Sequence, residues 1–126
     1  MLSDKDVIVT IAVKDIDTAA RFYEDKLGLK PTDESQPGMP VYKSGSGTIF
    51  LYPSQYAGTN QATAATFTVG NDLEAIVADL KSKGITFEHY PDLPDTKIEG
   101  DIHVAADTRV AWFKDPDGNI ISLVNG

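Results

Sequence analysis

The sequence contains no cysteine, only two histidines and a single tryptophan in 126 residues. Without cysteine there are no disulfides, no thiolate nucleophile and no Cys-based zinc or iron–sulfur site, so any metal chemistry would have to use oxygen and nitrogen ligands. No apolar run approaches the ~18 residues that a membrane span needs, and Met1-Leu2-Ser3-Asp4-Lys5-Asp6 lacks the basic and apolar regions of a signal peptide. A soluble cytoplasmic protein with no membrane partner is expected. Positive charge is also scarce. Eleven Lys and Arg, scattered along the chain, face 19 Asp and Glu for a net charge of −8, which argues against a nucleic-acid partner. The same field favours a cationic small molecule over an anionic one, although acidity of this size also serves plain solubility. No Gly-x-Ser-x-Gly nucleophile elbow occurs. Gly45-Ser46-Gly47 is followed by neither Lys-Ser/Thr nor a helix, and so makes no phosphate loop.

What is present is an ordinary globular composition, 41% hydrophobic and 24% charged, at a length that suits one domain with a real core. Val7 to Val13 alternates as a strand, with Val9, Ile11 and Val13 on one face and Ile8, Thr10 and Ala12 on the other. A helix follows, capped by Asp15 or Asp17, in which Ile16, Ala19, Ala20, Tyr23 and Leu27 form one apolar stripe and Gly28 stops the helix. Lys30 to Gly38 reads as a loop. Pro40 to Lys43 and Thr48 to Tyr52 are the arms of a hairpin turned by Ser44-Gly45-Ser46-Gly47.

After an aperiodic stretch, Pro53 to Thr63, the second half repeats the first. Ala64 to Val69 alternates like Ile8 to Val13, and Asp72 takes the capping place of Asp15. Leu73, Ile76, Val77 and Leu80 repeat the helical stripe, and Gly84 matches Gly28 at the same offset that relates the two strands. A strand Ile85 to Tyr90, a long acidic loop Pro91 to Asp101 and a last hairpin complete the chain. That hairpin is turned by Asp115-Pro116-Asp117-Gly118-Asn119, between Ala111 to Lys114 and Ile120 to Val124.

The run Phe113-Lys114-Asp115-Pro116-Asp117-Gly118-Asn119-Ile120-Ile121 closely resembles the C-terminal signature of the vicinal oxygen chelate superfamily: glyoxalase I, bleomycin and fosfomycin resistance proteins and extradiol dioxygenases. Val13-Lys14-Asp15-Ile16, Arg21-Phe22-Tyr23, Leu27-Gly28-Leu29 and Phe67-Thr68-Val69 extend the likeness over nearly the whole chain. The resemblance implies an α+β fold of two βαβββ modules, about 1–57 and 64–126, in a single domain 1–126. The modules would form a curved mixed sheet around a cleft, with helices outside, and a chain of this size would pair as a homodimer. If Val9, Ile11, Val13, Phe67 and Val69 pack on the helices, alternation turns Ile8, Thr10, Ala12, Ala64, Thr66 and Thr68 into the cleft. Phe50, Tyr52, Trp112, Ile120, Ser122 and Val124 join them.

Metal-dependent relatives place His, Glu or Gln on the first strand of each module and an acid on the last. Those positions fall here on Ile8, Phe50, Ala64 and Ser122, and a one-residue slip to Val9, Leu51, Ala65 or Leu123 supplies no ligand either. The resemblance therefore implies a chain without the family's metal or other cofactor and without assigned catalytic residues. It would be a binder of a small molecule, cationic or aromatic, in character like the bleomycin resistance branch. The expected ligand-binding residues are Ile8, Thr10, Phe50, Tyr52, Thr66, Trp112 and Ser122. Tyr42 and Tyr56 complete the aromatic set, for which core filling is the alternative. His89 and His103, with Glu88, Asp101 or Asp107, are the groups from which displaced ligands could build a lyase, epimerase or dioxygenase site; packing is their simpler use. Arg109 suits a structural ion pair better than ligand contact, and Asp92, Asp95, Glu99 and Asp101 suit a solvated loop better than a lid over a cation. A structural or regulatory dimer with no ligand is the third reading.

Overall fold

A computed structural model describes residues 1–126 and divides into two compact units, Met1–Thr59 and Asn60–Gly126. In the first unit, β1 (Ile8–Val13) leads into α1 (Ile16–Arg21), which continues as a π-helical turn over Phe22–Lys26. Three strands follow: β2 (Lys30–Pro31), β3 (Val41–Ser44) and β4 (Gly47–Pro53). They form a sheet of order β1-β4-β3-β2, in which β1 and β4 run parallel and the other pairs antiparallel.

Asp15 caps α1 as expected: its carboxylate accepts from the Asp17 and Thr18 amides and from the Thr18 hydroxyl. The Thr18 hydroxyl, followed by the two amides, lowers the Asp15 pKa. The wider π turn changes the apolar stripe. Phe22 and Tyr23 are both buried, ring edge to face with centroids 5.3 Å apart, where a pure 3.6-residue period selects Tyr23 alone. Gly28, at φ +75°, ends the segment while the Leu29 amide returns to the Tyr23 carbonyl. Ile11, Val13, Ile49 and Leu51 are buried on one sheet face, and α1 packs on β4.

The second unit contains β5 (Thr63–Thr68), α2 (Leu73–Ser82), β6 (Phe87–Glu88), β7 (Lys97–Glu99), β8 (Ile102–Ala105), β9 (Thr108–Lys114) and β10 (Ile120–Val124). Its sheet has the order β5-β10-β9-β8-β7, with β6 also paired to β9 and β5 parallel to β10. The parallel first–last pair is what the two units share. Three expectations need correction. Asp72 stands at the N-cap of α2, but its side chain makes no capping hydrogen bond, because a 3-10 turn over Gly70–Asp72 leads into the helix. The strand expected over Ile85 to Tyr90 shortens to Phe87–Glu88. The acidic loop carries β7, which hairpins with β8, an element that its charge conceals.

Leu73, Val77 and Leu80 of α2 are buried, as are Ala65, Ala111, Phe113, Ile121 and Leu123 on one face of this sheet. Arg109 reaches the same side and pairs with Glu74 of α2, which is the structural role expected of it. The final turn is built on Asp115. Its carboxylate accepts from the Asp117 amide (2.9 Å), the Asn119 amide (2.8 Å) and Asn119 Nδ2 (2.8 Å), while Gly118 adopts φ +92°. Asp115 and Asn119 are both buried, so this network replaces the water that their polar atoms lose.

Candidate functional site

The two sheets leave one face each without a helix, and register assigns residues to those faces. In the first unit Ile8 pairs with Thr48, Thr10 with Phe50 and Ala12 with Tyr52, while Val41 pairs with Phe50 from the other side. Directly paired residues share a face, so Ile8, Thr10, Phe50 and Tyr52 lie together, opposite the buried Ile11, Val13, Ile49 and Leu51. Phe50 and Tyr52 stack with centroids 6.5 Å apart and planes 5° from parallel. A cavity of about 330 Å³ opens here, lined by Ile8, Thr10, Glu34, Val41, Thr48 and Phe50. Its size is at the lower end of small-molecule sites. Tyr42 is not on this face: it is fully buried beside Ile49, and its hydroxyl donates to Glu24 Oε2 at 2.8 Å. Burial, together with that carboxylate, raises the Tyr42 pKa. Tyr56 is exposed and takes no part.

In the second unit one row crosses the sheet: Glu88, Trp112, Ser122 and Thr66. Ser122 and Thr66 hydroxyls share a 2.7 Å hydrogen bond, and the Trp112 indole N–H donates to Thr63 Oγ1 at 3.2 Å. The neighbouring row is Ile98, His103, Val110, Val124 and Thr68. His103, expected near a loop, lies within β8 and is 2% exposed. Its Nε2 accepts the Tyr90 amide at 2.9 Å, and Trp112 meets it edge to face at 4.8 Å. Burial, then the nearby charge of His89, pushes the His103 imidazole below its usual range, with the Val110 carbonyl acting in the opposite sense. Tyr90 completes the aromatic group against Trp112 at 5.2 Å. Nothing in the local pattern around Tyr90 signals this placement. His89 turns elsewhere, to Asp101 (2.8 Å), which also holds Lys81 (2.6 Å); the Lys81 ammonium, then His89, keeps the Asp101 carboxyl low.

The positions to which the resemblance assigns a metal can be tested on their chemistry. Thr10 pairs with Phe50 as Thr66 pairs with Ser122, so Phe50 and Ser122 are repeat equivalents, as Ile8 and Ala64 are in the sequence. Of the four, only Ser122 carries a side-chain oxygen, and that oxygen is bonded to Thr66. A hydroxyl and three hydrocarbon side chains do not fit a divalent cation, which needs carboxylate or imidazole lone pairs. No group of three or more His, Cys, Asp or Glu side chains is placed to hold a metal ion.

A βαβββ unit and a second unit that begins in the same order and carries two further strands, each closed by a parallel pairing of its first and last strands, define an α+β protein of two related modules. The chain belongs to the glyoxalase/bleomycin resistance protein/dioxygenase superfamily, whose family model matches residues 7–123. Among solved structures it is similar to TnmS3, an antibiotic-binding protein from Streptomyces sp. CB03234 (21% identity over 95% of both chains, TM-score 0.64). It is also similar to the fosfomycin resistance protein FosX from Mesorhizobium loti (12% identity, 98% of this chain and 92% of that one, TM-score 0.69). An integron cassette protein from the mobile metagenome of the Halifax Harbour sewage outfall is a third such structure (19% identity, 96% and 97% covered, TM-score 0.69). At these identities the likeness is one of fold. No curated protein sequence matches the chain. No helix is long and apolar enough to cross a membrane.

Proposed function

We propose that this protein binds a small organic molecule on its open, aromatic-bearing sheet faces, does so without a metal, and works as a soluble cytoplasmic homodimer. The observation that carries the reading is the cavity of the first unit, whose walls are Ile8, Val41, Phe50, the methyl-bearing Thr10 and Thr48, and Glu34 at one side. Mostly hydrocarbon walls, with two hydroxyls and one carboxylate, favour transfer of an apolar body out of water. Trp112, Thr66 and Ser122 are the corresponding binding residues of the second unit. An antibiotic-binding protein and a fosfomycin resistance protein among the similar folds support the ligand class, a drug-sized organic compound.

The test is a ligand screen by NMR on labelled protein. It follows the amides of Thr10, Thr48 and Phe50 and the Trp112 indole N–H, with and without EDTA. A hit should shift the pocket signals equally in both buffers. Phe50→Ala should weaken it roughly 10- to 100-fold, the value of one aromatic side chain's burial. Binding that appears only with added divalent metal, or a screen in which none of these signals moves, would overturn the proposal.

A further inference from the structure

The pocket of the first unit has a single ionisable wall residue, Glu34. Its carboxylate makes no ion pair and no side-chain hydrogen bond, although the turn that carries it is firmly fixed. The Glu34 amide donates to Thr32 Oγ1 (3.2 Å) and the Ser35 amide to the Thr32 carbonyl (3.0 Å). Ser35 Oγ both donates to the Val41 carbonyl (3.1 Å) and accepts the Val41 amide (2.9 Å), while the Thr32 amide donates to the same carbonyl (2.8 Å). Val41 is itself a wall of the pocket, so the turn fastens Glu34 to the wall it shares. Phe50, half-buried and stacked on Tyr52, pairs with Val41 and lines the same pocket. A carboxylate and an aromatic ring thus border the same apolar space, and the chain's net charge of −8 adds to the carboxylate's field. One cation touches the wall as well: Lys43 Nζ donates to the hydroxyl of Thr48 at 3.2 Å.

We infer that this pocket selects an amphiphilic organic cation, an ammonium group on an aromatic or branched aliphatic body, with Glu34 as the residue that sets the charge preference. The apolar body lies on Ile8, Val41 and Phe50, and the ammonium pairs with Glu34. The inference rests on the small-molecule-binding reading and adds the ligand's charge and the residue that reads it. Glu34 is exposed, so the pair is solvent-screened and its effect modest. A screened ion pair and an exposed cation–π contact together correspond to roughly a five- to tenfold preference.

The probes are phenethylammonium, 2-phenylethanol and 3-phenylpropionate, which share one phenethyl body and differ in charge. Titrations at low ionic strength follow the Thr10, Thr48 and Phe50 amides. The ammonium is expected to bind about five- to tenfold tighter than the alcohol, and the carboxylate more weakly than both. Glu34→Gln should cut the ammonium's preference to about the twofold that an exposed cation–π contact alone supplies while leaving the alcohol unchanged, whereas Lys43→Gln should preserve the preference. Equal affinities for ammonium and alcohol in the unaltered protein, or tightest binding of the carboxylate, would overturn the inference and leave the binding reading standing. Failure of all three to move the pocket signals would overturn both.

Discussion

Replacing Asp115 with alanine should cost the protein about 3–4 kcal/mol of stability. Three donors converge on that carboxylate: the Asp117 amide, the Asn119 amide and Asn119 Nδ2. Asp117 is partly exposed, so its amide recovers a hydrogen bond from water. The two Asn119 donors are enclosed, and Asn119 is only 6% exposed. A buried donor left without a partner costs about 1–3 kcal/mol, close to 2 kcal/mol at the middle of that range. Two such donors give the quoted sum. At ~2.1 cal/mol/K per residue, 126 residues have an unfolding entropy near 0.26 kcal/mol/K at the midpoint, so 3 kcal/mol lowers the melting temperature by about 11 °C. Asp115→Asn keeps one carbonyl oxygen for the two amides but turns an NH₂ group toward Asn119 Nδ2, and should fall between the two. Urea unfolding followed by Trp112 fluorescence and far-UV circular dichroism measures all three proteins. An alanine variant whose stability differs from that of the unaltered protein by no more than an ordinary surface substitution, about 0.5 kcal/mol, would refute the assignment of the turn's stability to this carboxylate. So would an asparagine variant less stable than the alanine one.

His103 should make stability fall with acid. Its folded pKa lies below the unfolded value of ~6.5, so the unfolded chain takes up the proton first and stability declines as pH drops through 6.5 toward the folded pKa. His103→Gln should flatten that slope in chemical denaturation between pH 7.5 and 5.5, and an unchanged slope would rule His103 out as its source. Asp101 works in the lower window: held below 3.8 by Lys81 and His89, it contributes stability above that value and loses it as pH falls further. Lys81→Met should reduce this loss below pH 4, measured against the unaltered protein. Tyr42→Phe should cost about 1.5–3 kcal/mol, the value of a hydrogen bond to a charged acceptor, because it removes the hydroxyl that donates to Glu24; thermal denaturation reads it directly. Ala106, at φ +52° in the turn between β8 and β9, should be improved by glycine by roughly 0.5–1 kcal/mol, seen as a higher urea midpoint at constant slope.

The strands and helices that carry a strong period are legible because one sheet face is buried and the other is not. Val9, Ile11 and Val13 alternate with Ile8, Thr10 and Ala12 in the letters as they do in space, and the same logic puts Phe50, Tyr52, Thr66, Trp112 and Ser122 on the faces that no helix covers. The Asp-Pro-Asp-Gly-Asn turn is equally plain, since each residue type there answers a local geometric need. Tyr42 is opaque for an opposite reason. Next to a flexible Gly-Ser turn the register of a four-residue strand depends on its partners, and pairing with Ile49 sends the ring inward. Phe22 escapes the apolar stripe because a π turn breaks the helical period. The β7–β8 hairpin is hidden because Lys97 and Glu99 point to solvent and leave only Ile98 to signal a strand. Glu34 lies in a polar turn that looks like any other acidic loop. Its meaning comes from the hydrogen bonds that tie Ser35 and Thr32 to Val41, contacts between distant positions that no local pattern encodes.

The parallel pairing of first and last strands also sets the order in which each unit can be made. β1, beginning at Ile8, has no partner until Thr48 and the rest of β4 emerge, and β5 waits longer still, from Ala65 until Ile121. On the ribosome, at about 5–20 residues per second, the first unit can close seconds before the second has all its strands. β5 is bonded on one side only, to β10, so a product halted at the Gly118 turn leaves both of its edges open, with Ala65 and Phe67 uncovered. Such a chain carries one finished unit and one ready template for edge-to-edge aggregation. The strand β10, made last, is thus the one that supplies both β5 and β9 with their partner.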